Sequence, residues 1–244
     1  MHRFFTPSLT KNSKNIVMED LREIHHLKDV LRLKSGQTIQ LFNGAGCKAE
    51  GRIIEISSNK ISIQLEKTTE ESAELPILIL ACAVPKKGKF ETIIEKTTEL
   101  GIDEIIPLKT KNSDVTFKLE KMNSKLERFQ KVALNAAKQS NRSTIPVIHP
   151  MTEFSSVVEN LLTRSTVIIP SLTKNSKKFI PVLEKLSSPT VISFLIGPEG
   201  DFSEQEYKLA HDSGCLPVSL GKTILKVETA AIASIATTRL FFNK

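Results

Sequence analysis

The pattern of apolar and polar positions changes near residue 73 of the chain. Before that point, short runs of alternating β-branched residues are separated by turns rich in Asn, Gly and Ser, which is typical of antiparallel strands. The runs predict strands at Thr38–Phe42, Cys47–Ile56 and Lys60–Leu65, after a short helix at Asp20–Leu31. Several short strands within about 70 residues predict a small β-barrel.

After residue 74, apolar strands alternate with amphipathic helices. Strands are predicted at Ile77–Val84, Glu104–Leu108, Ile145–Ile148, Thr166–Ile169, Thr190–Ile196 and Leu216–Leu220. Helices are predicted at Phe90–Leu100, Met122–Asn141, Phe154–Leu162, Lys177–Leu186, Ser203–Ser213 and Glu228–Phe242. This alternation predicts an α/β domain in which helices cover a parallel sheet.

Two local patterns support this division, and a third marks the boundary. Ser203 and Glu206 have the spacing of a capping box at the start of a helix. The buried face of the long helix is predicted from residues three to four positions apart: Leu126, Phe129, Val132, Ala133, Ala136 and Ala137. The acidic stretch Glu66–Glu74 is predicted as a linker, which gives domains at residues 1–73 and 74–244.

Composition places the chain among ordinary globular proteins. Of its 244 residues, 40% are hydrophobic and 25% are charged, which excludes disordered, collagen-like and disulfide-scaffold classes. Cys47, Cys82 and Cys215 are widely separated, so a reducing cytoplasm is expected. The start of the chain has no apolar segment typical of a secretory signal, and the longest apolar run, Ile77–Val84, is too short to span a membrane.

The positive charge is concentrated in the middle of the chain. The formal net charge is +7, and residues 86–142 contain 13 basic and 8 acidic groups. Such a surplus indicates either a polyanionic partner such as RNA or a solvated, Lys-rich face, and charge alone leaves both open. Aromatic residues are only 5% of the chain, with no Trp, which argues against a base-stacking platform.

Three short patterns do not match the motifs that they resemble. Gly221-Lys222-Thr223 lacks the earlier glycine of a phosphate-binding P-loop, and Gly44-Ala45-Gly46 lacks the third glycine of a dinucleotide fingerprint. His25 and His26 are adjacent, so they cannot share one helix face as metal ligands do. We therefore expect a polar surface pair there, and no metal site.

Three segments near the C-terminus follow strands and contain glycine or polar turns. They are Leu195–Gly200, Ser219–Gly221 and Ile224–Ala230. Glycines let a ligand approach the backbone closely, and ligands bind at the C-terminal ends of parallel strands. For any one segment alone an ordinary turn is the favoured interpretation, but all three lie at C-terminal strand ends and together predict a site for a ligand with a flat group such as adenine.

With these segments the sequence resembles the RsmE-type 16S ribosomal RNA uridine N3-methyltransferases of the SPOUT superfamily. The resemblance extends over nearly the whole chain. Its specific motifs are Leu-Ile-Gly-Pro-Glu-Gly at 195–200 and Glu-Thr-Ala at 228–230. The other similar segments are Arg3–Phe5, His26–Leu27, Val30–Arg32, Leu41–Gly44, Lys96–Gly101, Gln139–Arg142 and Leu225–Val227.

The resemblance implies a PUA-like β-barrel that helps to bind RNA, followed by a SPOUT-type parallel sheet with a deep trefoil knot. It implies S-adenosylmethionine as cofactor, 16S ribosomal RNA or the small ribosomal subunit as partner, and a homodimer formed through the knot region. Carried over from the family, the cofactor-binding residues are Leu195, Gly197, Pro198, Glu199, Gly200, Leu220, Gly221, Ile224, Leu225 and Thr229. The RNA-binding residues are Arg3, His25 and Arg32 in the barrel, with Arg142 from the catalytic domain.

The implied chemistry requires that uridine N3 lose its proton, because the protonated nitrogen is a poor nucleophile. Arg142 or Lys226 is expected to stabilise the anion, and Glu199 to orient the cofactor or accept the proton. Two alternatives are that Glu199 caps a helix, which we favour, and that Arg142 clamps a phosphate. The family usually has Arg at the positions of Thr223 and Lys226 and Glu at that of Lys138. The contacts with RNA and the target base are therefore expected to differ from those of the family. Rival hypotheses are methylation of another RNA position and a non-catalytic RNA-binding assembly factor.

Overall fold

The computed structural model describes residues 1–86, 88–113, 119–173 and 175–243, which divide into two compact units. Met1–Ala73 and Ala137–Ile145 form the first unit, and Glu74–Ala136 and Pro146–Lys244 form the second. Residues 137–145, which the sequence pattern assigns to the second domain, therefore group with the first unit. This assignment bears on Arg142.

The first unit is a five-stranded sheet with one short helix. Its strands are β1 Arg3–Phe5, β2 Asn15–Met18, β3 Thr38–Phe42, β4 Cys47–Ile56 and β5 Ile61–Glu70, in the order β1-β3-β4-β5-β2. Only the β1–β3 pair is parallel among the described pairings of this sheet. Two register shifts between β4 and β5 curl the sheet. The short edge strands β1 and β2 were missed by the sequence pattern.

The predicted helix of the first unit is confirmed. Helix α1, Leu21–His25, continues as a π-helical segment, His26–Val30. Asp20 caps its start, because the carboxylate accepts hydrogen bonds from the backbone N–H groups of Arg22 at 2.8 Å and Glu23 at 3.3 Å. Ile24 and Leu27 are buried in the core beneath the sheet.

The predicted linker is wrong over its first half. Residues 66–70 continue β5, where Lys67 pairs with Glu50 and Glu70 pairs with Cys47. The β-branched Thr68 and Thr69 favour a strand. The acidic charges that indicated a linker have cationic partners instead: Glu66 contacts Arg52 at 3.0 Å and Glu70 contacts Lys11 at 3.7 Å.

The second unit is an α/β fold, as predicted. Its strands are β6 Ile77–Ala83, β7 Glu104–Lys109, β8 Val147–Ile148, β9 Thr152–Glu153, β10 Thr166–Pro170, β11 Lys177–Lys178, β12 Val191–Ile196 and β13 Leu216–Ser219. Its helices are α2 Lys89–Glu99, α3 Leu119–Gln139, α4 Phe154–Leu162, α5 Phe179–Glu184, α6 Glu204–Asp212 and α7 Val227–Phe242, with the end of α3 counted in the first unit. The sheet order is β11-β13-β10-β12-β6-β7-β8, β9 pairs with β7, and every described pairing is parallel.

The strand and helix predictions for this unit are confirmed to within a few residues, with one correction. Helix α5 begins at Phe179 rather than Lys177, and Lys177–Lys178 pairs with β13. Pro181 explains the shift, because proline lacks an N–H group and is tolerated only in the first turn of a helix. The capping box of α6 is present, with Ser203 and Glu206 bonded reciprocally.

The predicted buried face of α3 is also confirmed in the second half of the helix. Phe129, Ala133, Ala136 and Ala137 are buried, whereas Leu126 and Val132 are half-buried. Among the described helices, none combines the length and apolar character that crossing a membrane would require. The trefoil knot stays a prediction.

Candidate functional site

A cavity of about 610 Å³ lies in the second unit, beside the C-terminal ends of β10, β12 and β13. These three strands are neighbours in the sheet, with β10 in the middle. Eight residues predicted for cofactor binding line the cavity: Gly197, Pro198, Glu199, Gly200, Leu220, Gly221, Ile224 and Leu225. The volume is in the range of small-molecule sites, which is about 300–1,000 Å³.

Two residues predicted for cofactor binding are not part of this lining. Leu195 is fully buried in the core of the second unit, on strand β12. Thr229 is exposed in the first turn of α7. Leu195 therefore supports the strand from which the Gly197–Gly200 turn leaves, and it has no exposed surface for a ligand.

The lining also includes residues that the sequence pattern missed. Pro170 ends β10, Ser171 and Leu172 follow it, and Lys89 begins α2. A signal for the first three was present, because a strand was predicted to end at Ile169 and its C-terminal end lies on the ligand-binding edge of a parallel sheet. No comparable signal marked Lys89.

The turn after β12 is held by contacts to its backbone. The Asn112 side chain donates to the carbonyls of Gly200 at 3.2 Å and Asp201 at 3.0 Å. Asp201 accepts hydrogen bonds from the Phe202 N–H at 2.8 Å and the Tyr207 hydroxyl at 2.7 Å. Burial, with Asp201 as a further cause, raises the pKa of Tyr207. The hydroxyl therefore stays protonated and keeps the turn in place.

Glu199 does not cap a helix, contrary to the favoured alternative. The N-cap of α6 is Ser203, and a carboxylate oxygen of Glu199 accepts a hydrogen bond from the backbone N–H of Lys86 at 3.2 Å. The Glu199 side chain therefore ties the turn after β12 to the segment after β6, at the rim of the cavity.

Basic and acidic groups face each other across the start of α7. Lys226 is the exposed N-cap residue, and Lys89 lies 3.2 Å from Glu228. The backbone N–H of Glu228, with Lys89 and Lys226, lowers the pKa of the Glu228 carboxyl. Its Oε2 atom is buried and has no hydrogen-bond partner among the described residues.

A second cavity, of about 520 Å³, is lined by none of the predicted cofactor residues. It lies near the C-terminal end of β7 and the starts of α4 and α6. Its charged lining is balanced: Lys109 contacts Glu153 at 2.5 Å, and the Lys111 backbone donates to Glu206 at 2.9 Å. Phe154 and Leu209 are the large apolar side chains of its lining, fewer than in the first cavity, so the first cavity is the better candidate for a flat group.

The residues predicted to bind RNA all belong to the first unit. The Arg3 guanidinium stacks on the Phe42 ring at 4.3 Å and is half-buried, and this burial lowers its pKa despite the nearby Glu71. His25 is exposed and contacts Asp29 at 2.7 Å, and Arg32 is exposed at a positive φ of 54°. His26 is also exposed, which confirms the predicted polar surface pair.

Arg142 lies in Ala137–Ile145, which groups with the first unit by its contacts. The sequence assigned Arg142 to the catalytic domain, so the contact-based unit and the sequence-based domain differ at this residue. Its guanidinium donates to the Thr144 hydroxyl at 2.9 Å. The physical reason is that the chain leaves α3 at Asn141, which has a positive φ of 60°, and then pairs with the turn after β3.

Comparison with known proteins identifies the domains. The family described as RNA methyltransferase domain matches residues 72–239, and the RNA methyltransferase PUA domain matches residues 19–66. Ribosomal RNA small subunit methyltransferase E of Rickettsia conorii is 32% identical, over 97% of this chain and 94% of the relative. The protein of the same name from Synechocystis sp. is 34% identical, over 88% and 69%.

A solved structure agrees with these relatives. Ribosomal RNA small subunit methyltransferase E of Neisseria gonorrhoeae, bound to S-adenosyl methionine, superposes with a TM-score of 0.87. It is 26% identical, and the match covers 99% of this chain and 98% of that one. The extent of these matches shows that this chain belongs to the ribosomal RNA small subunit methyltransferase E family of RNA methyltransferases.

Proposed function

We propose that the chain transfers the methyl group of S-adenosylmethionine to N3 of a uridine in 16S ribosomal RNA of the small ribosomal subunit. The observation that carries this proposal is the cavity of about 610 Å³, because it is built by the glycine-containing turns predicted to hold the cofactor. The names of the relatives and the cofactor bound to the Neisseria protein support it.

The lining residues fit S-adenosylmethionine. Leu172, Ile196 and Leu225 offer apolar surface for an adenine ring. A Cβ at Gly197 would lie 3.2 Å from the Phe202 ring, so a larger residue would disturb the close packing of this turn against Phe202. The carboxylate of Glu199 supplies negative charge for a sulfonium group.

The chain's residues have two tasks in this reaction. When bound, S-adenosylmethionine supplies an electrophilic methyl group on a sulfonium sulfur. Lys226, exposed at the rim, and Arg142 are the proposed cations that would favour the deprotonated N3, the form that is nucleophilic toward this methyl group. Glu199 is the proposed group that orients the cofactor or takes the N3 proton on its way to solvent.

We propose that the first unit binds the RNA around the target. Arg3, Arg32 and Arg142 supply its positive charge, His25 supplies a ring nitrogen for hydrogen bonding, and Arg142 acts either on the base or as a phosphate clamp. We also propose a homodimer formed through the knot region and a cytoplasmic location.

Transfer of labelled methyl groups from S-adenosylmethionine to small ribosomal subunits tests the proposal. Wild-type protein is expected to be active, and Arg142→Ala and Lys226→Ala are expected to lower kcat/KM by roughly 10- to 100-fold. Lys208→Ala is the control, because its side chain is 77% exposed, pairs with the exposed Asp212 and does not line the cavity. Wild-type rates in both variants would contradict the assigned roles, and an inactive wild type would contradict the function.

A further inference from the structure

The turn Asn43–Cys47 between β3 and β4 has no part in the proposed chemistry, although it contains Gly44-Ala45-Gly46. Asn43 shapes this turn, because its side-chain oxygen accepts from the N–H groups of Ala45 at 2.8 Å and Cys47 at 3.0 Å. Gly44 and Gly46 have positive φ values of 78° and 100°. The conformation of the turn is therefore defined by the Asn43 side chain and by two glycines with positive φ.

The structure places residues 143–145 against this turn. The Gly46 N–H donates to the Ser143 carbonyl at 3.1 Å, and the Ile145 N–H donates to the Gly44 carbonyl at 2.9 Å. Both glycines lie close to neighbouring segments, and a Cβ at Gly46 would lie 2.9 Å from the Glu71 carbonyl oxygen. A Cβ at Gly44 would lie 2.8 Å from Ile145 Cδ1.

Glu71 completes the arrangement from the end of β5. Its backbone N–H donates to the Gly46 carbonyl at 2.9 Å. Its carboxylate accepts hydrogen bonds from the Ser143 hydroxyl and the Lys48 ammonium group. Burial alone would raise the pKa of Glu71, but Lys48, Ser143 and the charge of Arg3 outweigh burial and lower it. The carboxylate is therefore ionised at neutral pH, as these contacts require.

We propose that the turn Asn43–Cys47 and Glu71 form a cradle that positions Arg142 for RNA. Arg142 directly precedes Ser143 in the chain, and its guanidinium donates to the Thr144 hydroxyl, so the cradle holds the two residues that follow Arg142. Glu71 acts through Ser143 and is a positioning residue. The proposal rests on the proposed function, because it assigns the Arg142 site to the RNA substrate.

The exposure of Glu71 makes it a suitable position to change. Its side chain is 43% exposed, so its replacement leaves the core of the first unit in place. Ser143 is 1% exposed, and Glu71→Ala removes the carboxylate that accepts its hydroxyl hydrogen. Glu71→Gln keeps an acceptor for Ser143. Glu70→Ala is the matched control, because Glu70 is the neighbouring acid and is 56% exposed in its pair with Lys11.

A double-mutant cycle with Arg142 tests the proposal. We expect Glu71→Ala to lower kcat/KM for small ribosomal subunits by roughly tenfold, with Glu71→Gln recovering most of the loss and S-adenosylmethionine affinity unchanged. In the Arg142→Ala background, Glu71→Ala should have no further effect, because its influence passes through Arg142. Losses that multiply, or full activity of Glu71→Ala, would overturn the proposal.

Hydrogen exchange provides a readout that does not depend on activity. The amides of Ser143 to Ile145 should exchange faster in Glu71→Ala than in Glu70→Ala, whichever RNA the protein acts on. An inactive wild type together with faster exchange would contradict the proposed function and leave the cradle supported. Equal exchange in the two variants would overturn the cradle even if methyl transfer is observed.

Discussion

The cofactor cavity and the cradle are built in different ways. The cavity is lined by segments that each follow a strand of one parallel sheet, and the turns Gly197–Gly200 and Leu220–Gly221 project from one edge. The cradle instead brings together three segments far apart in the chain: Asn43–Cys47, Glu71 and residues 143–145. The position of the cavity follows from the strand order, and hydrogen bonds such as those of Asn112 hold its turn in place, whereas the cradle exists only through hydrogen bonds between distant segments.

This difference predicts different sensitivities. The cavity requires open space next to the backbone, so an added side chain should block ligand binding without unfolding the sheet. The cradle requires close backbone contact, so an added methyl group should loosen one segment. Variants at glycines test the difference, since each site has a glycine with positive φ and a matched glycine elsewhere.

The largest effect is expected for Gly221→Val in the cavity lining. A Cβ at Gly221 meets no described heavy atom within 4 Å, so the new side chain extends into the open space beside the ligand. We expect S-adenosylmethionine to bind about 100-fold more weakly, which corresponds to roughly 2.7 kcal/mol, as measured by calorimetry.

Gly214→Val is the control for that prediction. Gly214 also has a positive φ, of 98°, with no described atom within 4 Å of an added Cβ, but it does not line the cavity. It carries the same kind of backbone strain. If Gly214→Val weakens cofactor binding as much as Gly221→Val, backbone strain rather than lost space is responsible.

A smaller effect is expected for Gly46→Ala in the cradle. The added Cβ would lie 2.9 Å from the Glu71 carbonyl oxygen, at a position where φ is 100°. We expect unfolding free energy to fall by about 1–3 kcal/mol in urea denaturation, with lower kcat/KM for RNA and unchanged cofactor affinity. Gly36→Ala is the control, because Gly36 has a φ of 88° and no described atom lies within 4 Å of an added Cβ. This variant introduces the backbone strain of a positive φ without the steric clash. Equal losses in the two variants would contradict the close contact.

The smallest effect is expected from an ion cluster that lines neither site. Glu104 contacts His149 at 2.9 Å and Arg164 at 2.9 Å, and these hydrogen bonds lower its pKa to about 2. A carboxyl whose pKa is lowered by folding stabilises the fold above its unfolded pKa of about 4.3, and this stabilisation is lost as the pH falls toward 2.

Glu104→Gln should therefore reduce unfolding free energy at pH 7 by about 1–2 kcal/mol and flatten the dependence of stability on pH below about 4.5. Urea denaturation at a series of pH values measures both. Methyl transfer at pH 7 should stay at the wild-type rate, because Glu104 is absent from the cavity lining and the cradle. Glu153→Gln, in an exposed pair with Lys109, is the control and should change stability little.

The same contrast explains what the sequence could predict. The strands, the helices and the capping box of Ser203 and Glu206 depend on neighbouring residues, and their patterns were visible. Glu66–Glu70 was misread because a charged strand and a linker have similar composition, and only pairing with β4 distinguishes them. The unit to which Arg142 belongs depends on hydrogen bonds to a turn about 100 residues earlier in the chain, which no local pattern contains.

At the candidate site, too, local sequence patterns predicted only part of the residues. The residues at strand ends, such as Gly197 and Gly221, were predicted because glycine turns after strands are recognisable. Lys89 and the role of Glu199 as an acceptor for the Lys86 N–H were not, because both depend on which helix and loop lie beside β12. The roles of individual residues came from resemblance to a family and stay predictions, whereas the contacts of these residues required the structure.

Mapping the methyl group on ribosomal RNA tests the central claim most directly. Small ribosomal subunits would be incubated with the protein and isotopically labelled S-adenosylmethionine, and the RNA digested and analysed by mass spectrometry. The account predicts one labelled nucleotide, a uridine methylated at N3 in 16S ribosomal RNA. A label on another base or another atom, or no label with wild-type protein that binds the cofactor, would contradict it.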